Sequence, residues 1–135
     1  MRLLLLTLAL VGLGILAAVA PASAAPLDGS VPILCAVNAV MDCPRKGGCE
    51  QSTPEEAEVP PFVKIVASQK MLISVDGARS SPITALQRNN GRLMIQGMQN
   101  ERVWGAVIDE QSGRMTATVG EDDGAIVISG TCIVP

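Results

Sequence analysis

The most regular signal in this chain is a two-residue alternation of apolar and polar or small positions between Leu93 and Val119. The run "RLMIQGMQ" sets Leu93, Ile95 and Gly97 against Met94, Gln96 and Met98, and "RVWGAVID" sets Val103, Gly105 and Val107 against Trp104, Ala106 and Ile108. In "RMTATVG", Met115, Ala117 and Val119 share one face and Thr116 and Thr118 the other. A period of two is the signature of a strand that buries one face. Shorter β-branched runs, "FVKIVAS", "KMLISV" and "ITALQRN", come before, and "AIVISGTCIV" follows. Between them lie the turn sequences "DGARSSP", Asn89-Asn90-Gly91, "EQSG" and "EDDG". Turn signals at such short, even intervals predict an antiparallel meander over residues 62–135. Six or seven such strands must curl into a small barrel or a two-layer sandwich, because an open sheet would leave its apolar face wet.

The first part of the chain reads differently. Arg2, the uncharged apolar run Leu3–Ala20, Pro21 and the small-residue site Ala22-Ser23-Ala24 have the layout of a cleavable secretory signal over residues 1–24. The run is long enough to span a bilayer, but the cleavage site and the absence of a charged stop-transfer flank argue against a retained anchor. Residues 25–61 then form a Cys-rich segment that folds as one unit with residues 62–135. Within it, "APLDGSVP" is expected to be a mobile lead-in. Leu34, Val37 and Met41, with Ala36 and Val40, have helical spacing and predict one short N-terminal helix over residues 34–42. Cys43-Pro44-Arg45-Lys46-Gly47-Gly48-Cys49 must turn. The acidic, proline-rich residues 50–61 read as an extended surface connector.

Export changes how the composition is read. Losing Arg2 with the signal moves the net charge from −3 to −4. A mildly acidic chain with scattered basic residues has neither the footprint for nucleic acid nor a polybasic stripe for anionic lipid. There is no histidine and no tyrosine, and Phe62 and Trp104 are the only aromatic residues. Ser-His and Cys-His nucleophiles and imidazole acid–base chemistry are thereby excluded.

Four cysteines in a small exported domain predict two disulfides. If residues 34–42 are helical, Cys35 and Cys43 lie about 12 Å apart along the axis. A disulfide needs Cα atoms within about 7 Å, so that pair is disfavoured. Two pairings remain: Cys35–Cys132 with Cys43–Cys49, or Cys35–Cys49 with Cys43–Cys132. The Gly-rich loop, able to fold Cys49 back on Cys43, favours the first. The spacings C-x7-C and C-x5-C do not suit a zinc site, which usually pairs its cysteines more closely. No metal or other cofactor is expected.

The remaining chemistry is sparse. Lys64 and Lys70, with Ser68 or Ser74, could form a Ser-Lys dyad, but the S-x-x-K spacing is absent and solvated lysines are the plainer reading. Asp109, Glu110, Glu121, Asp122 and Asp123 are acidic residues that hairpin geometry could cluster for glycosidic chemistry, although Glu121-Asp122-Asp123-Gly124 reads more simply as a polar turn. Trp104 is either a core residue or the anchor of a binding face, with Gln99, Asn100 and Arg102 as its polar rim and Met98 and Met94 extending it.

The stretch from Gly91 to Cys132 contains a polar turn, a Gly before a Gln, a Trp, "IDEQSG", a Thr-rich strand and a final Gly-Thr-Cys. It resembles a pattern in small exported bacterial proteins of unknown function, I-D-x-x-[ST]-G followed by G-x-C, with Ser112 in place of the commoner Thr. The resemblance implies a periplasmic setting and carries over no activity and no site. The sequence therefore points to a periplasmic or secreted, non-enzymatic binding or accessory domain, its partner another envelope or extracellular protein or a small ligand. It points away from nucleic acid, and from the membrane once the signal is removed. The alternatives are a metal-binding or redox accessory protein and, less favoured, a carboxylate-based envelope hydrolase.

Overall fold

Asn38 decides the architecture of the N-terminal segment. Leu34 to Met41 carry helical spacing, yet residues Ile33–Pro44 form one long strand, β1. Ile33, Cys35 and Val37 alternate inward; the register then slips at Asn38, and Val40 is the next inward residue. A β-bulge of this kind inserts one residue and converts a step of two into a step of three. That extra residue imitates helical periodicity, so the expected helix over residues 34–42 is absent. The described residues contain only a single 3-10 turn, Ala67–Gln69.

The computed structural model describes residues 24–135; the expected signal segment lies, but for Ala24, outside them. After β1 come β2 (Glu50–Ser52), β3 (Phe62–Val66), β4 (Met71–Ser74), β5 (Ser80–Asn89) and β6 (Arg92–Gln99). The chain ends with β7 (Arg102–Asp109), β8 (Arg114–Gly120) and β9 (Gly124–Ile133). All pairings are antiparallel, and the meander from β3 to β9 runs in chain order. Strand β1 pairs with β3 through Ile33–Ala36 on one side and with β9 along its length on the other. It thereby closes an eight-stranded barrel, and closure removes the two edges that an open meander would expose. Short β2 pairs with the far end of β1, beyond the edge that β3 occupies. Residues 62–135 do supply a seven-strand meander; the eighth barrel strand is the segment that reads as a helix.

Both disulfides follow from this register. Cys35 and Cys132 are direct partners across β1 and β9 and are bonded. Cys43 and Cys49 are bonded across the hairpin that joins β1 to β2. The pairing favoured from sequence is therefore present, but for a different reason. In a strand Cys35 and Cys43 are about 26 Å apart, at roughly 3.3 Å per residue, which excludes that pair more firmly than a helix would.

Two further segments leave the roles the sequence suggests. The lead-in is packed, with Leu27 buried in the core. Gly29 lies where a Cβ would touch Ala67, Leu86 and Leu93, so the lead-in crosses one end of the barrel. The supposed connector is also held: Thr53 to Glu56 form a capping box, Glu56 N–H donating to Thr53 Oγ1 and Thr53 N–H to Glu56 Oε2, both at 3.2 Å. Pro54 follows the cap, where a missing N–H costs nothing. The single turn that results delivers Ala57 and Val59 into the core.

Candidate functional site

The two ends of the barrel are filled differently. At the base, Ile33, Cys35, Leu93, Ile108 and Cys132 point inward and are almost completely buried. Toward the other end three inward positions of β6 to β8 are small: Ala106 and Ala117 face each other across β7 and β8, and Gly97 lies opposite Trp104. Eight strands enclose an interior that side chains can just fill, or that can hold one small ligand if they do not. Here they do not. A cavity of about 840 Å³ opens into the barrel, with an apolar wall that includes Leu72, Ile95, Ala117 and Ile128. Val37, Val63, Leu72, Ala117 and Val119 face this space and remain only partly buried, as expected of inward positions without a packing partner.

Trp104 is the large side chain of the wall. Its ring lies across Gly97, where a Cβ would stand 2.6 Å from Cζ2 and would also meet the Pro82 carbonyl oxygen. Only glycine leaves the ring this space. The indole Nε1–H donates to Ser81 Oγ at 2.7 Å, and both residues are buried, 9% and 4% exposed. Burying an indole N–H without a partner would cost free energy, and the serine removes that penalty.

The mouth is polar, and the segment after the capping box crosses it. Glu58, in the left-handed region at φ 54°, lines the cavity together with Val59 and Pro60. Arg79 donates to its carbonyl oxygen, and Arg102 Nη2 lies 3.4 Å from its carboxylate. The Arg102 Nε also lies 2.7 Å from Glu121 Oε1, an ionic contact off the N–H direction. Gln99 donates from Nε2 to the Ser80 carbonyl oxygen at 2.6 Å.

Four of the five residues expected to share a binding face thus line one cavity: Trp104, Arg102, Gln99 and Asn100. Their arrangement is the inverse of the expected one, since Trp104 is enclosed and not exposed. Met98 is 61% exposed on the outer surface, opposite the equally outward Val103; Met94 shares that outer face. The sequence reading missed Ser81, Ala117 and Glu58. Small residues at inward positions of neighbouring strands, Gly97, Ala106 and Ala117, were the available sign of an unfilled interior.

The suspected acidic cluster does not form. Asp109 and Glu110 lie in the β7–β8 turn at the base, whereas Glu121, Asp122 and Asp123 lie in the β8–β9 turn at the mouth. Asp109 Oδ1 accepts from the Ser112 N–H and hydroxyl, both at 2.8 Å, and from the Gln111 N–H. The Ser112 N–H, then its hydroxyl, hold the Asp109 carboxyl below its ordinary pKa. Glu110 receives two hydrogen bonds from Arg88, at 2.7 and 2.8 Å, which depress its pKa in the same way. Carboxyls held ionised in this manner stabilise turns and are poor proton donors. Lys64 is exposed, while Ser74 points inward and is bonded to Asp76 and Arg79. All four cysteines are bonded, which leaves no thiol free to ligate a metal. No family model, curated protein or solved structure matches this chain.

Proposed function

We propose that this is an exported, non-enzymatic binding protein that holds a small apolar molecule inside its barrel. The observation that carries the reading is the unfilled interior: a cavity of about 840 Å³ whose inward residues, Leu72 and Ala117 among them, stay partly buried. Ligand sites typically occupy about 300–1,000 Å³ with apolar walls and a few placed polar groups. Two disulfides suit an oxidising compartment. The chain has one tryptophan and no tyrosine, so its intrinsic emission reports on Trp104 in the cavity wall alone. Titration with the neutral probe N-phenylnaphthylamine should change that emission saturably and sensitise the probe by energy transfer. Ala117→Phe should abolish both effects while keeping the fold. Unsaturable binding, or saturable binding unaffected by Ala117→Phe, would place the probe outside the barrel and reject the reading.

A second reading, docking of an exported protein partner, is favoured by the outer face of β6 to β8. Met94, Gln96, Met98, Val103, Val107, Thr116 and Thr118 leave it uncharged beyond Arg92, Asp109 and Arg114 at the base end, with Met98 and Val103 exposed. Replacing Met98 and Val103 with aspartate should abolish capture of a cross-linked envelope partner and leave probe binding unchanged.

A further inference from the structure

The rim and the wall of the cavity together select a ligand chemistry, a conclusion that rests on the barrel being a ligand site. Every charged residue lining the cavity, Glu55, Glu58, Arg79 and Arg102, belongs to the mouth. The two cations there are already engaged: Arg102 lies between Glu58 and Glu121, and Arg79 donates to the Glu58 carbonyl oxygen. A carboxylate or phosphate head would have to displace these partners and face Glu55 and Glu58 as well. An ammonium head would meet the two arginines as well as the two carboxylates. The entrance therefore favours neither sign of charge, and the wall below it, with no counter-ion, disfavours both.

The wall does offer a directed hydrogen bond. Ser81 Oγ accepts the Trp104 indole proton. Its own hydroxyl proton has no acceptor among the described residues, although the residue is nine-tenths buried and lines the cavity. Of the other serines lining the cavity, Ser74 is fully used by Asp76 and Arg79, and Ser80 is exposed at the mouth. A hydroxyl proton enclosed without an acceptor costs free energy until one arrives. We infer that the cavity takes an uncharged, mainly apolar molecule bearing one hydrogen-bond acceptor such as a ketone or ester oxygen. Ser81 donates to that oxygen, and the apolar body lies along Trp104 and Leu72.

The test is competition against bound N-phenylnaphthylamine by four compounds of matched chain length: undecanone, undecane, undecanoate and undecylamine. The ketone should compete about tenfold more strongly than the alkane, the ratio expected of one buried hydrogen bond. It should also outcompete both ions. Ser81→Ala alone frees the Trp104 N–H to donate in its place. The decisive variant is therefore Ser81→Ala with Trp104→Phe, which should bring the ketone down to the level of the alkane. An unchanged far-UV circular dichroism spectrum separates loss of the donors from loss of the fold. Preference for the carboxylate or the amine, or a ketone advantage that survives in the double variant, overturns the inference while leaving the barrel a ligand site. Failure of the probe and of all four compounds to bind rejects both.

Discussion

The base and the mouth of this barrel are built from the same strands yet solve opposite problems. At the base, large inward residues meet, the lead-in covers the end, and the Cys35–Cys132 bond joins the first and last barrel strands. Arg88 binds Glu110 and lies 3.9 Å from Asp28, which ties the lead-in to the β7–β8 turn. At the mouth small inward residues on β6 to β8 stand among larger ones such as Trp104 and Ile126, the apolar wall stays partly open, and the crossing segment is held through Glu58 by exposed ionic contacts worth little individually. The difference teaches where packing is complete and where it is not. The base fills its volume, and the mouth leaves volume unfilled.

The strongest way to break this comparison is through its two disulfides. Replacing Cys35 and Cys132 together with alanine opens a closure between residues 97 positions apart. The chain-entropy relation puts the loss at about 4–5 kcal/mol. Replacing Cys43 and Cys49, only 6 positions apart, should cost about 2 kcal/mol by the same relation. Denaturant midpoints of the two double variants would check the order, and equal losses would deny the base its special role. Next in size is a pair of opposite core changes. Leu93→Ala, at a fully enclosed base position, should cost about 2–5 kcal/mol through the cavity it leaves. Ala117→Leu, which adds bulk at the mouth end, should stay within about 1 kcal/mol because the volume to receive it exists. If the larger side chain instead destabilises strongly, the interior is packed and the site is lost.

The smallest expected effect concerns pH. Asp28 is held below its ordinary pKa, mainly by Ser30, with Arg88 adding to the effect, and Glu110 is lowered by its bonds to Arg88. A depressed carboxyl contributes stability above the ordinary carboxylate range and loses it as pH falls through the folded value. Thermal midpoints of Glu110→Gln should therefore lie slightly below those of the parent at neutral pH and converge with them in acid. A constant offset across that range would show that the charge is not the cause.

Legibility followed locality. The turns at Asn90-Gly91 and "IDEQSG" could be read directly, since both central residues of the first take the positive φ of a two-residue hairpin and Asp109 bonds its own turn. The two alternating faces of β6, β7 and β8 were equally plain, but not which face of β7 turns inward. The helix over residues 34–42 misled because a bulge and a helix leave similar apolar spacings over eight residues. The mobile lead-in and the surface connector misled because Leu27 and Val59 are single apolar residues in polar surroundings, and only the barrel ends give them somewhere to go. Four of the five residues grouped around Trp104 do lie together, but they line the interior and not an outer face.

By itself the sequence determined a meander of six or seven strands, its turns, a disulfide framework and the absence of imidazole chemistry. Each of these rests on residue type and on neighbours a few positions away. Only the tertiary structure decided that β1 closes the barrel, that Trp104 faces inward across Gly97, and that Ser81 meets it. Whether inward side chains touch or enclose a space depends on the radius of the closed sheet, which is set by the number of strands and their stagger. No single strand carries that information, so the cavity exists only once the eighth strand is in place.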